Sequence, residues 1–340
     1  MEVGYRRPAK VLAEKLRQNE SELKECPVCG SAEQVLFAEI FAHPFFECRG
    51  CGHIFNKRPP LAEAVKALYT QDTLGEKSVQ ALVYAQKEIF QRRAAGITLP
   101  KARFVTARVP NKGGRWVDIG AGVGDLVAAA AQLGWDVVGL ASDLTEVAFA
   151  RSLGLEMEPV FVDEHNISEH VRAAAIVSLI NVVEHIPAPG RLLKAISAGI
   201  SSGAKVVIEV PRHPSLSSYA NRHICAPDHL HIFTEQSLGI LLEQAGLALQ
   251  SIWLFGQDIY EVIMDMALQG GFGNDSLVNQ LLLIVPETQQ VIDRCGLADT
   301  IGRSGQLGSV PNYLFPSGRN AGKLNLWRRQ AASILPGSAG

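Results

Sequence analysis

The chain has 340 residues, 47% of them hydrophobic and 19% charged, with a formal net charge of −2. That composition belongs to a soluble globular protein with a sizeable core, and it excludes the overall basic excess of a nucleic-acid-binding chain. No apolar run reaches the roughly 18 residues of a membrane span, and charged residues stand where a signal peptide would place its apolar core, so a cytoplasmic location is expected.

Residues 1–25, rich in Lys, Glu, Leu and Ala, read as a helix leading into the first motif. Cys26-x-x-Cys29-Gly30 and Cys48-x-x-Cys51-Gly52 follow, flanking a strand-like segment with Val35, Leu36, Phe37, Ile40 and Phe41. In a reducing compartment, paired C-x-x-C spacings favour metal ligation over disulfides. Two such knuckles complete a tetrahedral set of four thiolates, so residues 26–60 are expected to form a ribbon around a structural Zn2+ with no open coordination position. A segment of about 35 residues builds too little core to stand alone, and metal binding would supply the missing folding free energy. A redox dithiol is the alternative, but it needs only one pair. His53 would be a fifth ligand and is expected to be a bystander.

Pro59 and Pro60 end the ribbon. Residues 61–95 read as helical, with Leu61, Val65, Leu68 and Tyr69 on one face, Leu82, Val83, Ile89 and Phe90 further on, and a break at Gly75. Residues 101–108 read as a third helical piece, and from this region Tyr69 and Tyr84 could reach a ligand. Residues 115–143 then read as strand, glycine turn (120–124), helix (126–133) and second strand (136–140), one βαβ unit. The glycines let a ligand approach bare backbone, so a nucleotide-like cofactor is expected on the turn. Asp125, at the start of the helix, adds negative charge there, which suits a cationic ligand better than a pyrophosphate. The alternation continues with a helix at 145–153, strands at 159–162 and 174–180, a helix at 189–200 and a strand at 205–210. This is the pattern of a doubly wound α/β sheet, whose ligands bind beyond the carboxyl ends of the strands.

The spacing Asp118-x-Gly120-x-Gly122-x-Gly124 resembles the first motif of class I S-adenosylmethionine-dependent methyltransferases. That resemblance implies cofactor contacts from Asp118, Gly120, Ala121, Gly122 and Gly124. It also puts the acid that usually meets the cofactor ribose at Ala141, which leaves Asp143, two residues later, as the nearest carboxylate. Asp163 and Glu164 are candidates for the adenine amino group, with plain surface carboxylates as the alternative. The run Asn181-Val182-Val183-Glu184-His185-Ile186 resembles a segment shared by ubiquinone-type O-methyltransferases and sugar methyltransferases. By that match Asn181 and Val182 line the cofactor pocket, while Glu184 and His185 touch the methionine part or the substrate; a Glu-His pair capping a helix start is the alternative. Asp228-His229-Leu230-His231, followed by Phe233 and Thr234, resembles the catalytic stretch of zinc-ribbon sugar C-methyltransferases. His229 is then the expected general base, Asp228 its orienting carboxylate and His231 a third titratable group, against the alternative of hydrogen-bonded histidines packing the loop. Thr234 is the expected N-cap of the helix that follows.

The expected fold is therefore a doubly wound, Rossmann-like α/β methyltransferase sheet with a small N-terminal four-cysteine zinc ribbon and helical additions. Its divisions are an N-terminal helix (1–25), the ribbon (26–60), a helical lid (61–110), an S-adenosylmethionine-binding core (111–256) and a C-terminal helical extension (257–340). The extension should carry helices at 258–269 and 275–294 and a partly irregular tail after Gly302. The function implied is methyl transfer to oxygen or carbon of a small polar acceptor, a sugar or sugar conjugate, without nucleic acid or membrane partners. Two alternatives stand beside it: a zinc-ribbon rRNA or tRNA methyltransferase, opposed by the acidic charge, and an inactive scaffold, for which Ala141 speaks.

Overall fold

The computed structural model describes residues 22–40, 42–70, 84–109, 114–213, 229–254 and 300–307, with positions 280, 284, 288 and 291. Strands β1 (Gln34–Ile40), β2 (His43–Cys48) and β3 (Ile54–Asn56) form an antiparallel sheet. Along β2 the apolar side chains alternate between faces, and Phe45 packs with Ile54 while Phe46 lies half-buried on the other side. Helices α1 (Ala62–Thr70), α2 (Lys87–Arg93) and α3 (Leu99–Thr106) follow, with a π-helical turn over Ala94–Thr98 joining α2 to α3.

The core then alternates strand and helix: β4 (Arg115–Ile119), α4 (Asp125–Gln132), β5 (Asp136–Ala141), α5 (Leu144–Ser152), β6 (Met157–Pro159), α6 (Ile167–Val171) and β7 (Ala174–Ile180). A 3-10 turn over Val183–His185, α7 (Pro189–Gly199) and β8 (Lys205–Pro211) come next. The central strands are buried along nearly their whole length because helices cover both faces, which is why they read as Val/Ile/Leu runs. Trp116, Ile176 and Val207 face α3 and α4, while Val117, Val177, Leu179 and Ile208 face α7 and the later helix α8 (Glu235–Gln244).

Between β8 and α8 lies a two-residue strand, β9 (His231–Ile232); β10 (Leu247–Leu254) and β11 (Thr300–Leu307) complete the described elements. The large sheet has the order β10-β11-β8-β7-β4-β5-β6, parallel from β8 through β6. The chain winds one way from β4 to β6 and the other way from β7 to β8, so the topological switch point falls between β4 and β7. Strand β11 takes in the first residues after Gly302, in a tail expected to be partly irregular. It runs antiparallel between β8 and β10, and its backbone pairs on both sides although Gly302, Ser304 and Gly305 give it little strand propensity. The helices expected at 258–269 and 275–294 lie outside the described residues, save for helical positions 280, 284, 288 and 291.

The ribbon sheet is completed by β9, in the order β1-β2-β3-β9, with Ile54 opposite Ile232 and Phe55 opposite His231. His53 is not a bystander in this seam. Its Nε2 lies 3.1 Å from His231 Nδ1, and His231 Nε2 lies 3.0 Å from the carbonyl oxygen of Ile186. Because a carbonyl only accepts, His231 donates from Nε2 and accepts at Nδ1 from His53. Burial pushes His231 down to about 4, so the ring is neutral at pH 7 and this tautomer holds. Replacing it, as in His231→Phe, leaves the His53 donor and the Ile186 carbonyl unpaired. Urea unfolding should register a loss of about 2 to 4 kcal/mol, and an unchanged midpoint would show that the seam does not stabilise the fold.

Candidate active site

The glycine turn begins where β4 ends, at the switch point. Gly120 has φ +69°, and a Cβ on it would come within 2.5 Å of Val182 Cγ2, so the backbone after β4 lies directly against the Val182 side chain that follows β7. Gly122 has φ +53°, and a Cβ there would meet only Glu146 Oε2, at 3.9 Å. Open space over bare backbone is what a cofactor cradle requires. Across from it Asn181 also takes a left-handed conformation, φ 54°, which Asn tolerates better than most side chains, and its N–H donates to the Glu209 carbonyl at 2.9 Å.

Asp118 is buried at the end of β4. It accepts from Ser178 Oγ at 2.6 Å, and that hydroxyl accepts from Trp116 Nε1 at 2.7 Å. Burial pushes its carboxyl up to about 7, against the Ser178 hydrogen bond that lowers it. Asp125 opens α4, but its charge is already answered by Arg93 at 3.3 Å and by the Thr98 hydroxyl at 3.1 Å, both from the helices before β4. Those helices therefore reach the helix end that the sequence pattern leaves to a ligand.

Strand β5 ends in buried Ala141, as expected. Asp143 caps α5: its Oδ1 accepts from the N–H of Thr145 at 2.7 Å and of Glu146 at 3.2 Å. The carboxylate turned toward the glycine turn belongs instead to Glu146, a residue that no sequence motif marks. Asp163 closes a local turn, accepting from the N–H groups of His165 and Asn166, and lies 4.0 Å from Lys66. Glu164 lies 4.0 Å from Arg191.

On the acceptor side the structure brings together Glu184, His185 and His229. The rings of His185 and His229 meet edge to face at 4.8 Å, and His185 Nε2 is 3.9 Å from Glu184 Oε1. Tyr69 of α1 stands edge-on to His185 at 6.1 Å. Glu184 is fully buried, and neither carboxylate oxygen has a hydrogen-bond partner among the described residues; burial pushes it up to about 8. Ligand-type atoms of the three residues lie within 4.8 Å of one another. His231 does not join them, since both its ring nitrogens are engaged in the ribbon seam. Asp228 lies outside the described residues. Below the strand ends a cavity of about 180 Å³ opens between Phe104, Trp116 and Trp253, with the buried Lys101–Glu209 ion pair in its wall.

The four cysteine sulfurs form the second cluster. Cys26 and Cys51 are 3.8 Å apart and Cys29 and Cys48 3.4 Å, close to the roughly 3.8 Å edge of a tetrahedron with 2.3 Å Zn–S bonds. Thr234, the N-cap of α8 as expected, accepts from Ser237 N–H and donates from Oγ1 to the Cys51 carbonyl at 3.1 Å, which ties the second knuckle to the core.

Residues 90–252 match a family described as a methyltransferase domain. A putative methyltransferase of Haloferax volcanii, solved in complex with the Trm112 methyltransferase activator, aligns at 14% identity and a TM-score of 0.48 over 69% of this chain and 100% of that one. Phosphoethanolamine N-methyltransferase 2 of Haemonchus contortus, in complex with S-adenosyl-L-methionine, aligns at 13% identity and a TM-score of 0.48 over 75% and 63%. A SAM-dependent methyltransferase from Archaeoglobus fulgidus aligns at 16% identity and 0.44 over 65% and 99%. No curated protein matches the sequence. The matched span, just under half of the chain, contains the parallel sheet, the switch point and the bare glycine turn, so these residues form a methyltransferase domain and the chain is a methyltransferase.

Proposed function

We propose that this enzyme methylates an oxygen or carbon of a small polar metabolite, a sugar or sugar conjugate, with His229 as general base and one structural zinc ion on Cys26, Cys29, Cys48 and Cys51. The grouping of His229 with His185 and Glu184 beyond the carboxyl end of β7 carries the reading. The four-sulfur donor set and its spacings support zinc. The likeness of the 228–234 stretch to sugar C-methyltransferases supports the acceptor class, and the net charge of −2 speaks against RNA.

Asp118, the glycine turn, Asn181 and Val182 would hold S-adenosylmethionine, which supplies an electrophilic methyl on a sulfonium. A hydroxyl, or a C–H beside a carbonyl, is a poor nucleophile at neutral pH, so His229 takes that proton as the acceptor attacks. The proton leaves a positive imidazole beside His185. Glu184, held largely neutral by burial, ionises more readily once that charge appears and so stabilises it. Tyr69 covers the outer side of His185.

His229→Ala should lower methyl transfer by about a hundredfold or more, while calorimetry finds S-adenosylmethionine bound as in the parent. Label from the cofactor should enter the small-molecule fraction of a cell extract; label in nucleic acid would favour the RNA alternative, and binding without any transfer the scaffold. The Glu184 carboxylate, which accepts no hydrogen bond among the described residues, also favours a second reading, in which Glu184, His185 and His229 ligate a divalent cation. Elemental analysis separates the two, since the base reading requires one zinc per chain and the metal reading two ions. Cofactor affinity should also follow pH. Asp118 and Glu146, both raised to about 7, gain charge between about pH 5.5 and 7.5, while an α-amino group stays protonated up to roughly 7.7. Affinity therefore rises across that window, and Asp118→Asn should weaken binding and flatten the rise.

A further inference from the structure

We infer that Glu146 is the residue that grips the ribose diol of the cofactor, in place of the strand-end acid that Ala141 lacks. The inference rests on the cofactor assignment above and concerns how this chain fulfils it.

Three observations converge on Glu146. The first is its aim. Asp143 fixes the first turn of α5 by accepting from the Thr145 and Glu146 N–H groups, and Glu146 at the third helical position then turns its carboxylate toward the glycine turn. A Glu at that position commonly reaches back to the N-cap backbone. Here Oε2 instead stands 3.9 Å from where a Cβ on Gly122 would be, and among the described residues beyond the glycine's chain neighbours no other heavy atom lies within 4 Å of that point. The space between the carboxylate and the bare backbone is therefore open.

The second is its need. Glu146 is 8% exposed, and among the described residues its carboxylate accepts no hydrogen bond. Among the described residues the charged groups that act on it are Asp143 and Asp125, both acids, and Asp125 already pairs with Arg93. A buried carboxylate in this setting is costly unless a ligand brings donors to it. The third is the local alternative. Ala141 is apolar and buried at 4%, and Asp143 uses Oδ1 for the helix cap. A vicinal diol offers two O–H donors at the spacing of the two carboxylate oxygens, and an acid beyond the second strand is the general partner of a nucleotide ribose in glycine-turn folds.

The test is calorimetry with S-adenosylhomocysteine and its 2′-deoxy analogue on the full chain. The parent should bind the ribose form about tenfold or more tightly than the deoxy form, the worth of one hydrogen bond to a charged acceptor. In Glu146→Gln that gap should narrow, and in Glu146→Ala it should close, with circular dichroism reporting an unchanged fold for the isosteric Gln variant. Asp143→Asn, which keeps a capping side chain, should retain the gap. A gap preserved in both Glu146 variants, or lost in Asp143→Asn alone, overturns the assignment while leaving the cofactor site intact. A parent that binds neither compound overturns the cofactor assignment itself, and this inference with it.

Discussion

The acceptor side of the site depends on one short stretch of backbone, Leu230 to Ile232. Ile232 and His231 pair with β3 of the ribbon, and Leu230 accepts from Asn56 N–H at 2.8 Å. On its other edge Leu230 N–H donates to the Glu184 carbonyl at 2.8 Å, and His231 Nε2–H donates to Ile186 O. The segment is thus held between the ribbon sheet and the 3-10 turn that carries Glu184 and His185. His229 is the residue immediately before it, so main-chain bonds fix where its imidazole meets His185. Placement by backbone rather than by a flexible side chain is what the proton transfer proposed for His229 would need.

Charge sorts the other half of the site. The acids around the glycine turn fall into two sets. Asp125 and Glu209 already have cations, Arg93 and Lys101, both delivered by the helices that precede β4. Asp118 and Glu146 have none among the described residues, and burial raises both. Two carboxylates in a low-dielectric setting, without cations among the described residues, favour a ligand that brings positive charge and disfavour the negative charge of a pyrophosphate. The pairing of Asp125 also means that α2 and the π-helical turn dock on the end of α4, so their role includes neutralising a helix end as well as covering a cleft.

Much of this is legible in the sequence, for reasons that differ by region. The βαβ unit announces itself because strand, glycine turn and helix are local, and β7 and β8 because buried parallel strands are nearly continuous Val/Ile runs. Strand β11 is hidden because it is held by pairing with β8 and β10, which the sequence of residues 300–307 does not display. The knuckles are readable from spacing alone, whereas the partnership of His53 with His231 joins residues far apart in the chain. His231 looks like a catalytic neighbour of His229 because two residues apart suggests one loop; in a strand that spacing puts both on one face, but the bonds to His53 and Ile186 draw His231 into the seam. Glu146 escapes a motif reading because the motif's acid belongs to the strand end, while helix geometry carries the useful carboxylate one turn further.

The two clusters are therefore coupled unequally to the rest of the molecule. The glycine turn is formed by β4, α4, β5 and α5, which share a core with Trp116, Val137 and Val147 and have no strand in common with the ribbon. The histidine group hangs from β9, whose register is set by β3, and β3 follows directly on the knuckle of Cys48 and Cys51. That knuckle also receives the Thr234 hydroxyl at the start of α8. Four thiolates brought within 4.8 Å of one another repel unless a cation neutralises them, so loss of the zinc ion proposed for them would strain the knuckle first, then β3, then β9. Disorder entering by that route reaches His229 within a few residues and reaches Gly122 only through the packed sheet. On the proposed zinc and base assignments, a ribbon with no open coordination position would in this way govern turnover while leaving the grip on the methyl donor nearly untouched.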